Sequence, residues 1–156
     1  MSFLLQGPGF LGTKANFGSD ASLVVILIAA VLFTIGWKLA VRKQYKAHRW
    51  VQTAAACVNA IPVLGLMIGS FLVHILPGIP GKLGEGTYAV TTVHAIVGLI
   101  GLVLGVFVTL RGNELVPKAL RFANYKLFMR SSYALYMLAT LMGVILYAVV
   151  FGGGST

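Results

Sequence analysis

Apolar residues in this chain run unbroken for the length of a membrane crossing instead of alternating with polar ones. Four such runs, residues 22–41, 53–76, 88–110 and 131–151, occupy more than half of the 156 residues. A helix rises 1.5 Å per residue, so about 20 residues cross a hydrocarbon layer roughly 30 Å thick, and each run is long enough. Their only Lys, Arg, Asp or Glu is Lys38, three residues from the end of the first run. The pattern predicts an all-α fold, an integral membrane four-helix bundle forming a single transmembrane domain over residues 1–156.

Periodicity adds detail between and within the spans. Val116, Leu120, Ala123 and Leu127 recur at helical spacing, with Lys118, Arg121 and Tyr125 opposite them and Pro117 suited to a first turn. This predicts an interfacial amphipathic helix over about 115–129 before the last span, either lying in the headgroup layer or extending the fourth helix. Residues 77–86 are dense in Pro and Gly, which stops the second helix and makes the second and third an adjacent antiparallel hairpin. Gly65 and Gly69 in one, and Gly101 and Gly105 with Gly98 in the other, are expected to bring the two backbones together. Asn59 and Pro62 suggest a kink in the second helix. In the fourth helix, Tyr133, Tyr136, Thr140, Gly143 and Tyr147 fall on one polar stripe. That stripe serves either interhelical hydrogen bonding or a quinone or tetrapyrrole surface.

Composition excludes a water-soluble globule. The chain is 58% hydrophobic and 10% charged, against about a quarter charged in ordinary soluble domains. Its net charge of +9 is unevenly placed. Lys38, Arg42, Lys43, Lys46 and Arg49 lie at the first connection, and Arg111, Lys118, Arg121, Lys126 and Arg130 lie at the third. Lys14 and Lys82 alone fall on the other side. Basic residues beside spans stay cytoplasmic, so the expectation is a multi-pass protein of the bacterial cytoplasmic (inner) membrane with both termini outside. Residues 1–20 lack a charged leading region and are expected to form a short external tail. The same basic loops predict membrane lipid as a partner, preferring anionic headgroups at the inner face, and no nucleic acid. The single cysteine, Cys57, is expected to be a small core residue.

Candidate chemistry is sparse. No carboxylate falls within a run, which argues against a proton relay, and Asp20, Glu85 and Glu114 build no hydrolytic triad. Three histidines remain as cofactor-binding candidates: His48 near the inner end of helix two, His74 near its outer end, and His94 inside helix three. Imidazoles on facing helices can ligate haem b. His94 is expected about 10 Å, and His74 about 3 Å, below the outer ends of their spans, so the pair requires shifted helix ends. The alternative is that His94 bonds a hydroxyl such as Thr91 or a carbonyl, with His48 and His74 interfacial. Copper held by His94 with Met67 or Met142 has no characteristic spacing.

Ile35-Gly36-Trp37, the basic turn Lys43–His48 with Arg49, Tyr88 six residues before His94, and Asn124-Tyr125-Lys126 ahead of Gly143-Val144 and Tyr147 together carry a resemblance. From about Ile35 to Phe151 the chain resembles the domain of unknown function 420 family, four-helix bacterial membrane proteins linked to haem-copper oxidase maturation. The resemblance implies a helper of an oxidase or electron-transfer complex rather than a catalyst. It matches His48 and His94 to family histidines, while Asn124-Tyr125-Lys126 departs from the histidine-bearing stretch often found there. Three expectations follow: an accessory protein for assembly or stability of a haem-containing respiratory complex; a small b-type haem electron-transfer protein; or a permanent non-redox subunit of a larger respiratory or photosynthetic membrane complex.

Overall fold

The computed structural model describes residues 7–121 and 123–152, and among these the chain is helical with no named strand. Four helices are long and apolar enough to cross a membrane: α1 (Phe17–Val41), α2 (Tyr45–Gly78), α3 (Gly86–Gly112) and α4 (Tyr125–Phe151). Each contains one of the apolar runs and extends beyond it at one or both ends. Their outward surfaces are hydrocarbon: Val149 is 72% exposed, Ile61 70%, and Val31 and Val103 60%. Such surface on every helix suits lipid and would aggregate in water.

Local chemistry sets the helix ends. Asn16, in extended conformation, accepts from the Ser19 amide at 2.9 Å and starts α1, whose first turn carries Asp20 and whose last carries Lys38, the signs that complement a helix dipole. The short turn to α2 is made by Lys43 at a positive φ of 60°. α2 is α-helical as far as Pro62, then widens into π-helical turns at Val63–Met67 and Phe71–Ile75. Proline has no N–H to donate and its ring crowds the carbonyl four residues back, and the looser winding begins immediately beyond it. The kink expected at Asn59 and Pro62 thus takes the form of a change in winding, with both residues buried.

The helices associate as two hairpins. α1 packs along α2 and α3 along α4, while α1 with α4 and α2 with α3 both meet sparingly. Close approach in the first hairpin comes from small residues: Ala29 and Ala55 are fully buried, and a Cβ on Gly36 would lie 2.6 Å from Gln52 Nε2. In the second hairpin, Cβ positions on Gly101 and Gly105 lie 3.5 Å from Leu135 Cβ and Ser132 Oγ.

Two expectations are corrected here. The glycine contact foreseen between the second and third spans is absent: Gly65, Gly69 and Gly98 have nothing within 4 Å, and Gly101 and Gly105 serve α4 instead. Sequence adjacency brings α2 and α3 into one connection, but the packed partners of each are α1 and α4. The amphipathic helix over 115–129 is also absent as a unit. Glu114 takes a positive φ of 63°, only Lys118–Leu120 forms a 3₁₀ turn, and regular helix begins at Tyr125. Arg121 accounts for the difference, donating through Nε to the Val116 carbonyl at 2.9 Å and through Nη2 to the Glu114 carbonyl at 3.0 Å. These bonds fold the segment on itself, and Val116 becomes buried.

Candidate functional site

The sparing contact of α2 with α3 leaves a cleft of about 1890 Å³ between the hairpins, lined from all four helices. Asn59, Thr87, Thr91, His94 and Thr140, with Gln52, Thr53, Ser132 and Tyr136 among others, interrupt a mostly apolar wall. Lys46, Arg49, Lys126 and Arg130 line the same cleft where α2 and α4 begin.

His94 lies eight residues into α3, about 12 Å from its start. Its ring fills the notch left by Gly143 on α4: a Cβ there would stand 3.2 Å from the imidazole Cε1 and 3.8 Å from Ile26 Cδ1 of α1. Side chains of α1 and α3 thus meet at the Gly143 notch of α4. The His94 Nδ1 is buried and makes no hydrogen bond to the protein. The carbonyl partner expected for this imidazole is present in the Ala139 backbone of α4, and it is Nδ1 that is left without a bond.

The other histidines differ. His48 Nδ1 pairs with the Gly36 carbonyl at 2.7 Å, tying the start of α2 to the end of α1. His74 is exposed on the second π-helical stretch and lines the cleft, as do His48 and His94. His74 and His94 bring two imidazoles, the donor type that ligates haem iron, to the wall of one cleft. Among the described residues, no group of three or more His, Cys, Asp or Glu is gathered that could hold a metal ion. Cys57 is exposed, on the outside of its helix rather than in a core.

The polar stripe of α4 is spent largely on α1. Tyr133 shares a hydrogen bond with Thr34 at 3.1 Å and stacks on Trp37. Tyr136 donates to the Ile26 carbonyl at 2.9 Å and packs on Phe33. Thr140 is buried and faces the cleft. Tyr147 donates to Asp20.

Asp20 is the residue the apolar pattern missed. It was placed outside the spans, yet it sits in the first turn of α1 with no solvent exposure. Its Oδ2 accepts from the Phe10 and Leu11 amides at 2.6 and 2.7 Å, and its Oδ1 accepts from Tyr147. Thr13 pairs with the same tyrosine at 2.8 Å, and the Lys14 amide donates to the Phe151 carbonyl at 3.3 Å. Within the expected short tail over residues 1–20, residues 7–16 are thus fastened across the ends of α1 and α4, and Met1–Gln6 lie outside the described residues. The signal available in the sequence was an Asn four residues before an Asp at the head of an apolar run.

Comparison with known protein families, curated proteins and solved structures finds no match to this chain.

Proposed function

We propose that this chain is an accessory integral membrane protein supporting the assembly or stability of a haem-containing respiratory electron-transfer complex, in a bacterial cytoplasmic membrane with both termini outside. One observation carries the reading: the buried, unpartnered Nδ1 of His94 on the wall of a cleft between hairpins. Leaving a buried polar atom unpaired costs about 1–3 kcal/mol, a cost that a later-arriving partner group or ligand removes. The resemblance at Ile35–Trp37, His48, Tyr88 and His94 supplies the class of partner. The test is affinity purification from native membranes with absorbance measured alongside. The expected result is a nearly colourless chain carrying oxidase subunits while maturation is in progress, with that association lost in His94→Ala at unchanged membrane abundance. Absence of respiratory subunits from the wild-type preparation would overturn the reading, and co-purification in a constant ratio with the finished complex would replace it with a permanent subunit.

A second reading rests on the cleft position of His74 beside that of His94: the chain itself holds b-type haem. It requires a stoichiometric Soret band that both His94→Ala and His74→Ala abolish and that His48→Ala retains, because His48 is already engaged with Gly36.

A further inference from the structure

The four cations that line the cleft are all at one end of it, and the chain's three carboxylates line none of it. Lys46 and Arg49 come from the first turns of α2, and Lys126 and Arg130 from those of α4. Topology control alone asks only that basic residues lie beside the spans; it does not ask that four of them border one opening. Exposed Tyr45 and Trp50 flank the α2 pair, the residue types that settle at headgroup depth. Below the cations the wall mixes apolar Ala56, Leu102 and Val106 with polar Gln52, Thr53 and Ser132. Asn59 on α2 and Thr140 on α4 each lie ten residues beyond Arg49 and Arg130. Ten helical residues span about 15 Å, half the hydrocarbon thickness and the reach of an acyl chain within one leaflet. Asn59 and Thr140 thus lie at about the depth where a lipid tail would end.

We infer that the basic half of the cleft is a binding site for one anionic phospholipid. Its phosphate sits among Lys46, Arg49, Lys126 and Arg130, and its acyl chains fill the space between the hairpins. Charge complementarity selects the occupant: an apolar helix would leave the four cations facing hydrocarbon, and a zwitterionic lipid would bring its own ammonium to them. A retained lipid also joins hairpins that touch little between α2 and α3, while leaving the His94 half of the cleft free.

The full chain, purified in detergent and exchanged into nanodiscs, tests this by native mass spectrometry. With equal phosphatidylglycerol and phosphatidylcholine supplied, the expected result is one retained phosphatidylglycerol per chain and at least tenfold less phosphatidylcholine. The variant Lys46→Gln/Arg49→Gln/Lys126→Gln/Arg130→Gln is expected to lose that lipid at least tenfold. Lys38→Gln/Arg42→Gln/Lys43→Gln/Lys118→Gln removes the same charge outside the cleft and is expected to keep it. Equal loss in both variants, or equal retention of the two lipids, overturns the site in favour of diffuse attraction. Ala56→Phe keeps every cation but fills the wall, and is expected to lower retention; unchanged retention in a folded Ala56→Phe chain also overturns the proposal. Displacement of the lipid by millimolar inorganic phosphate would show a soluble-anion site and refute a lipid one.

Discussion

A carboxylate at the end of a membrane helix is tolerable only when its charge is met, and Asp20 meets it with two backbone amides and a phenol. Asp20→Ala removes the acceptor from all three donors, whereas Tyr147→Phe removes one donor and also releases Thr13. The expected order of thermal stability in detergent is wild type, then Tyr147→Phe, then Asp20→Ala. Limited proteolysis between residues 7 and 16 should accelerate in the same order; equal resistance in all three chains would show that this segment is not held as described. Tyr136→Phe deletes a single bond to the Ile26 carbonyl, and interhelical bonds of this kind average about 0.6 kcal/mol in membranes. Its unfolding free energy in mixed micelles should fall by no more than about 1 kcal/mol. The stripe at Tyr133, Tyr136, Thr140 and Tyr147 was legible because side chains at helical spacing share a face; that α1 supplies most of the partners was not, because periodicity names a face and not its neighbour.

Glycines distinguish the helices that truly pack from those that only follow one another. A Cβ at Gly101 would stand 3.5 Å from Leu135 Cβ and 3.6 Å from the Tyr136 amide nitrogen, ordinary contact for alanine and no room for more. Gly101→Ala should therefore be tolerated, while Gly101→Leu should lower stability by about 1–3 kcal/mol through overpacking. Gly65→Leu should change stability little, because Gly65 has nothing within 4 Å. Reversible unfolding of the variants in mixed micelles checks the contrast, and a large loss at Gly65 with none at Gly101 would restore the pairing that sequence order suggests. The small-residue spacing was visible in both helices, but the same spacing arises on a packed face and on one turned to lipid. Gly36, against Gln52 and beside the His48 bond, carries no such repeat and becomes recognisable only with α2 in place.

Across the whole molecule, the antiparallel run of α1 to α4 places the connections after α1 and α3 at one end, and residues 7–16 with the α2–α3 connection at the other. The basic end is then expected to face the cytoplasm. In a Cys57→Ser background, Lys82→Cys should react with a membrane-impermeant maleimide on intact cells. Lys43→Cys and Lys118→Cys should react only after the membrane is opened. The reverse pattern would invert the orientation and, with it, the side from which a partner complex approaches the cleft.

The linear order of residues determined the number of helices long and apolar enough to cross a bilayer and the segregation of charge, because each follows from apolar run length and local charge along the chain. Tertiary structure alone decided which helices pair, where the cleft opens, that Gly143 makes room for His94, and that Asp20 holds residues 7–16 in place. Those outcomes rest on contacts between residues far apart in the chain, such as Ile26 with Gly143 and Thr13 with Tyr147, and no local periodicity encodes them.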